Sequence, residues 1–184
     1  LGKDIAWLYI IHGLNYLVPL LLMPFLARVL GTGGFGSVMI AFSFASIMSI
    51  FIEFGFYISG QRDISRCNNN LAAKSKVFSS VLSAKLVLGI AATLIFGTIA
   101  LFQSSLSQDY RLLLSILLLG NVTGFSMNWY FRGVGRIAFS AVLEVTAKVL
   151  GAILVLLMIK APDDGWKYLM SLGVSQGVVL FISF

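Results

Sequence analysis

Residues 28–37 read RVLGTGGFGS. Gly31, Gly33 and Gly36 match G-x-G-x-x-G, the fingerprint of a dinucleotide-binding turn. Glu53 follows roughly 20 residues on, where such a site keeps an acidic residue for the ribose. That turn must follow a strand and open a helix within a βαβ unit of about 30 residues. Here the glycines separate two long apolar runs, residues 5–27 and 35–58, and Glu53 lies inside the second. The match is therefore accidental. The stretch reads instead as a tight turn between two antiparallel helices, with glycine supplying a positive φ at little steric cost.

The flanking runs are representative of the whole chain. It is 59% hydrophobic and 11% charged, with a mean hydropathy of +0.97, whereas soluble domains carry about 25% charged residues. Apolar spans are read at 5–27, 35–58, 77–102, 112–131 and 138–159, with a sixth starting near 167. Each complete one approaches or exceeds the roughly 20 residues that cross a bilayer as helix, and in hydrocarbon every backbone polar group must be satisfied within its own segment. The expected fold class is all-α, a polytopic membrane helical bundle of about six transmembrane helices. The first span is too long for a signal peptide, lacks an A-x-A-like site and ends in Arg28. The chain opens on Leu1 and stops at Phe184 inside an unfinished run. Residues 1–184 are accordingly expected to be one N-terminal lobe, truncated in its sixth helix, of a longer protein.

Charge sorts between the loops. Lys3, Arg62, Arg66, Lys74, Lys76, Arg132 and Arg136 fall on one side, and Arg28, Arg111, Lys160 and Lys167 on the other with Asp109, Asp163 and Asp164. Loops rich in Lys and Arg stay cytoplasmic, so the N-terminus is expected inside. The net charge of +6 is then topology, and no aromatic-basic groove suggests nucleic acid. Cys67 is the single cysteine, which excludes an internal disulfide and the paired spacing of a zinc site.

Ionisable residues inside spans carry the most information, because each costs about 2.5–3.5 kcal/mol at a helix centre and usually faces a cavity or a partner. This chain has Glu53 in span two, Lys85 in span three, and Glu144 with Lys148 in span five. At 1.5 Å per residue, the first three lie roughly 10 Å from the cytoplasmic end and Lys148 roughly 15 Å. Periodicity places Ser43, Ser46, Ser49, Glu53 and Tyr57 within about 120° on span two, and Ser140, Glu144, Lys148 and Gly151 within about 80° on span five. His12, Asn15, Pro19 and Met23 share a side of span one. Small and hydroxyl residues also serve close helix packing, and Glu144 with Lys148 at i, i+4 can neutralise each other. Four ionisable groups at one depth favour a polar cavity. Pro19 and Pro24 interrupt span one, either as a hinge of the kind found in transporters or simply because proline is more frequent in membrane helices. No H-E-x-x-H, G-x-S-x-G, P-loop or metal-ligand cluster occurs, and with one His acid–base or zinc chemistry is poorly supplied.

Particular residues then resemble a known family. NYLVPLLLMPFLARVLG at 15–31 with Phe35-Gly36, then Gly55-Phe56, Ser59, Arg62, Ile64 and Ser65, Phe78-Ser79, Lys85 and NWYFRG at 128–133 are similar to the polysaccharide repeat-unit flippases. These are the O-antigen and exopolysaccharide transporters of the multidrug/oligosaccharidyl-lipid/polysaccharide exporter superfamily. The chain departs from that pattern at Gly60 and Gln61, where the family has alanine and threonine, and at Arg132, commonly glutamine. The resemblance implies a non-enzymatic lobe paired with a second one around a central cavity, in the bacterial inner membrane. Its substrate would be an undecaprenyl-pyrophosphate-linked oligosaccharide moved to the outer leaflet, with membrane lipids and a polysaccharide polymerase as partners.

On that basis Lys85 and Lys148 are expected to meet the pyrophosphate, and Asn15 with the span-two serines, Ser46 among them, the sugars. Glu53 or Glu144 would carry a coupling proton or sodium ion, with no other cofactor. Arg28, Gly31, Gly36 and Arg62 would shape the loops. The alternatives are a multidrug or cation exporter of the same superfamily, and a membrane glycosyltransferase or ligase acting on the lipid carrier.

Overall fold

The computed structural model describes residues 2–67, 70–102 and 109–183, and their side chains except at 2–12, 14, 15, 100 and 101. Among the described residues there are no strands. The α-helices are α1 (Gly2–Glu53), α2 (Phe56–Arg66), α3 (Leu71–Phe102), α4 (Tyr110–Gly124), α5 (Asn128–Gly133), α6 (Ile137–Met158) and α7 (Gly165–Ser183), with a 3₁₀ turn at Pro162–Asp164 before the last. Four stretches are long and apolar enough to cross a membrane: Tyr16–Arg66, Leu71–Ile99, Tyr110–Gly133 and Ile137–Met158. The first contains two of the expected crossings. The sixth expected span is α7, which its Lys167, Gln176 and serines leave less apolar than those four. The fold is a polytopic helical bundle.

The break inside α1 falls at a single residue. Gly31 has φ 69° and ψ 176°, while Pro19 and Pro24 sit in the same helix without displacing its backbone. The expected turn thus falls at Gly31, the residue free to take that φ. Gly33 and Gly36 continue the helix, so Gly36, expected in a loop, is helical: one left-handed residue is enough to redirect the chain. The second crossing also ends earlier than expected. Phe54 (φ 40°) and Gly55 (φ 79°) stop it after Glu53, and α2 starts afresh.

Span four is likewise divided, because α4 ends at Gly124 and NWYFRG forms the short α5. At the far end of α6, Pro162 starts the 3₁₀ turn, and Asp164 Oδ2 accepts from the backbone N–H of Lys160 (3.0 Å) and Ala161 (3.1 Å). With Lys167 on its other oxygen, that carboxyl is held below the usual carboxylate range, chiefly by the Lys167 hydrogen bond.

Helix α4 is the centre of the packing, against α1 and α7, and α6 closes on α7. Leu26, Ala41, Ile116, Val155 and Leu169 share one core. Gly120 and Gly124 let α1 come close: a Cβ on either would stand 2.7 Å from Met48 or Ile52, the small-xxx-small device of membrane helices. Leu86, Val87, Ile90 and Leu94 of α3 point outward, as a lipid-facing helix requires.

The ends of the bundle sort as the charges do. Trp129 and Gly133 of α5 lie against Gly60 and Ile64 of α2, bringing Arg132 and Arg136 to the end that carries Arg62 and Arg66. At the opposite end the Arg111 guanidinium is 5.7 Å from the Trp166 ring, and Gly34 nears the Pro162 carbonyl.

Candidate functional site

The break between α1 and α2 puts Glu53 and Tyr57 in the lining of a cavity of about 290 Å³. The α4–α5 connection contributes Thr123, Ser126 and Asn128, α6 contributes Glu144 and Lys148, and α7 contributes Gln176 and Ser183. Apolar walls come from Phe131, Leu143 and Val179 among others. Ligand sites are typically of this kind, mostly apolar with a few convergent polar groups, and this volume is near the lower end of the usual range.

Its polar groups are ordered. Glu144 Oε1 accepts from Asn128 Nδ2 at 2.7 Å and from Arg132 Nη2 at 3.3 Å. Ser140 Oγ donates to Asn128 Oδ1 at 3.1 Å, and Thr123 Oγ1 donates to Gln176 Oε1 at 2.7 Å. The Arg132 guanidinium lies over the Tyr57 ring, 5.2 Å from its centroid. Lys148 stands one turn beyond Glu144 on α6, where i, i+4 side chains are neighbours. Counting Arg132 and Lys85 behind the wall, the latter acting electrostatically on Glu53, two carboxylates face three cations. The site is polar without a strong net charge.

Of the expected site residues, Glu53, Glu144 and Lys148 meet in this cavity. Lys85 does not line it. It is buried, 1% exposed, and its Nζ donates to the carbonyl oxygens of Gly124 (2.9 Å) and Ser126 (3.2 Å). The last carbonyls of a helix have no partner of their own, and a cation at that end also suits the helix dipole. Lys85 thus closes α4.

Ser46 is also outside the lining. Its hydroxyl bonds back to the Phe42 carbonyl at 2.8 Å, as Ser43 and Ser49 do to Met39 and Ser46. Such back-bonding is how hydroxyls are commonly satisfied within a helix. The side chain of Asn15 lies outside the described residues. Arg28 is exposed near the Gly31 kink, and Arg62 pairs with Asp63 at the surface, 3.4 Å apart.

Sequence reasoning missed Asn128, Arg132, Thr123 and Gln176 as site residues. Arg132 reads as a loop residue, because nothing within the six residues of α5 shows that the helix folds back on Glu144. Gln176 was detectable, being a polar residue within an apolar run.

The family model described as polysaccharide biosynthesis protein matches residues 1–184. The chain is 26% identical over 181 residues to a protein of Shigella dysenteriae provisionally named an O-antigen transporter, covering 98% of this chain and 44% of that one. A protein of Escherichia coli K12 with the same provisional name is 34% identical over 98 residues, 53% of this chain and 23% of its own length. The chain thus spans less than half the length of these relatives. No solved structure is a significant match. The chain belongs to the polysaccharide biosynthesis protein family, and is a multi-pass membrane protein.

Proposed function

We propose that the full-length protein flips an undecaprenyl-pyrophosphate-linked oligosaccharide from the cytoplasmic to the outer leaflet of a bacterial inner membrane, for surface polysaccharide synthesis. The observation that carries this reading is the ordered polar cavity set in an apolar bundle. A pyrophosphate and several sugars cannot cross hydrocarbon unaided. A cavity of this kind shelters the head group while the lipid tail stays in the bilayer. The family and the names of the relatives point the same way.

In this reading Lys148 meets the pyrophosphate, and Glu53 or Glu144 couples transport to a proton or sodium gradient. Lys85 lies outside the lining, where it holds the end of α4 and sets its positive charge toward Glu53. The end bearing Arg62, Arg66 and Arg132 is cytoplasmic, following the bias of Lys and Arg, which also puts the N-terminus inside. No covalent step is assigned to the chain, and a polysaccharide polymerase would take up the product. The two carboxylates lining the cavity favour a second reading, an exporter of organic cations with the same architecture.

Quantifying lipid-linked repeat units and their leaflet in cells depleted of the full-length protein separates these readings. Complete units accumulating on the cytoplasmic face support the flippase. Unchanged surface polysaccharide supports the cation exporter, and loss of the units themselves indicates an enzyme that builds them.

A further inference from the structure

Glu144 reaches the cavity from α6, but both donors that hold it come from α5, and both meet the same oxygen, Oε1. The donors are themselves fixed. Ser140, fully buried, orients the Asn128 amide so that its NH₂ faces Glu144. Arg132 is steadied by the face of Tyr57, which lines the cavity. A guanidinium serving only as a structural ion pair tends to engage its carboxylate through two parallel bonds. This one engages through a single contact and leaves its buried Nε without a partner among the described residues. The pair is therefore not arranged for the strongest possible ion pairing. What the arrangement does achieve is a carboxylate held in one place at the wall of a cavity.

A pinned carboxylate beside an amide, with the Tyr57 and Phe131 rings nearby, suits a polyhydroxylated ring better than a phosphate. Sugar hydroxyls donate to carboxylate oxygens, whereas a phosphate would be repelled by them. We infer that Arg132 is a positioning residue for sugar recognition: with Asn128 it holds Glu144 as a fixed hydroxyl acceptor for the carbohydrate of the substrate. This rests on the flippase reading above. It separates two subsites, sugar at Glu144 and Asn128, pyrophosphate toward Lys148. A site built to bond a substrate hydroxyl discriminates strongly against a ligand that lacks it.

The test is binding to the purified full-length protein in detergent with two probes. One is the polyprenyl-diphosphate-linked oligosaccharide extracted from cells that make the protein, and the other is bare polyprenyl diphosphate. The unaltered protein is expected to bind the glycosylated probe about tenfold more tightly, the scale of a charge-assisted hydrogen bond. Arg132→Gln and Glu144→Gln should each abolish that preference without weakening bare-probe binding, which loss of the carboxylate beside Lys148 can only strengthen. Arg132→Lys should restore most of the preference, and the double variant Arg132→Gln/Glu144→Gln should bind no worse than Glu144→Gln, because Arg132 acts through Glu144.

Equal weakening of both probes by Arg132→Gln would overturn the inference, since the guanidinium would then be acting on the pyrophosphate or the fold. So would additive losses in the double variant, or an unchanged preference. Ser140→Ala leaves both donors in place and frees the Asn128 amide. It should show the same selectivity with a smaller loss, and tests the inference if Arg132→Gln does not fold. Binding of neither probe by the unaltered protein would instead overturn the flippase reading itself.

Discussion

Lys85 of α3 caps the last turn of α4, its Nζ 2.9 Å from the Gly124 carbonyl oxygen. This contact joins two helices at the point where α4 must end so that α5 can turn back toward Glu144. The same Gly124 lacks a side chain where Ile52 of α1 approaches, so three helices meet there. A buried lysine at this depth can be read as a ligand or as a clamp, and the two have different consequences.

Lys85→Met should act on stability. Removing the ammonium leaves the Gly124 and Ser126 carbonyls unsatisfied in an apolar setting, at a cost of about 1–3 kcal/mol. Lower membrane abundance and a lower melting temperature in detergent are expected, with transport per folded molecule largely kept. Normal abundance with abolished transport would return Lys85 to the substrate site.

Gly60→Ala tests the α2–α5 contact. A Cβ there would stand 2.7 Å from Trp129 Cε3, a rigid ring that is only 2% exposed. Overpacking of this kind costs about 1–3 kcal/mol. Adding Trp129→Phe, which removes the crowding edge of the indole, should recover part of the loss. A melting temperature unaffected by Gly60→Ala would contradict the contact.

Asp164 provides a pH signature. Its carboxyl is depressed below the ordinary carboxylate value by Lys167 and by the Lys160 and Ala161 N–H groups. The stabilisation is therefore present above the unfolded carboxylate value, near pH 4, and is lost as pH falls through the lower folded value. Asp164→Asn should melt earlier than the parent at neutral pH, with the two converging under strongly acidic conditions. A constant gap at all pH values would show that the carboxylate charge is not the cause.

Cys67 reports sidedness. It follows α2 at the end that carries Arg62 and Arg66, its thiol half-buried against the Asp63 carbonyl. A membrane-impermeant thiol reagent should label it in inverted vesicles and leave it unlabelled in intact cells. Labelling in intact cells would reverse the orientation.

The crossings were legible because a bilayer imposes a length and an apolar composition on every helix that spans it. The Gly31 turn followed from the same reasoning, once its flanks ruled out a nucleotide site. Periodicity also places Glu53 on one polar stripe and Glu144 with Lys148 on another, and the structure brings the three together at one cavity.

Periodicity assigns a face, however, and not a partner. It could not tell that Lys85 would spend its charge on the end of another helix, nor that the serines near Ser46 would bond to their own backbone. The fate of Arg132 was hidden for a related reason. Its helix is only six residues long and is stopped locally by Gly135, at φ 81° with the Arg136 N–H bonded to the Phe131 carbonyl, but a glycine stop does not say against which partner the helix folds back. The break after Glu53 lies at Phe54, whose positive φ no sequence rule favours.

The central claim is that the substrate head group passes through the cavity of Glu53, Glu144 and Lys148, and it is tested by filling that cavity. In the full-length protein with Cys67→Ser, Ser126→Cys places a lone thiol of this segment on the cavity wall and changes one atom. Transport of the lipid-linked oligosaccharide into proteoliposomes is then measured before and after reaction with a small and a bulky thiol reagent. The account predicts that the methylthio adduct still transports and that the bulky adduct falls to background. Complete modification by the bulky reagent with an unchanged transport rate would contradict it.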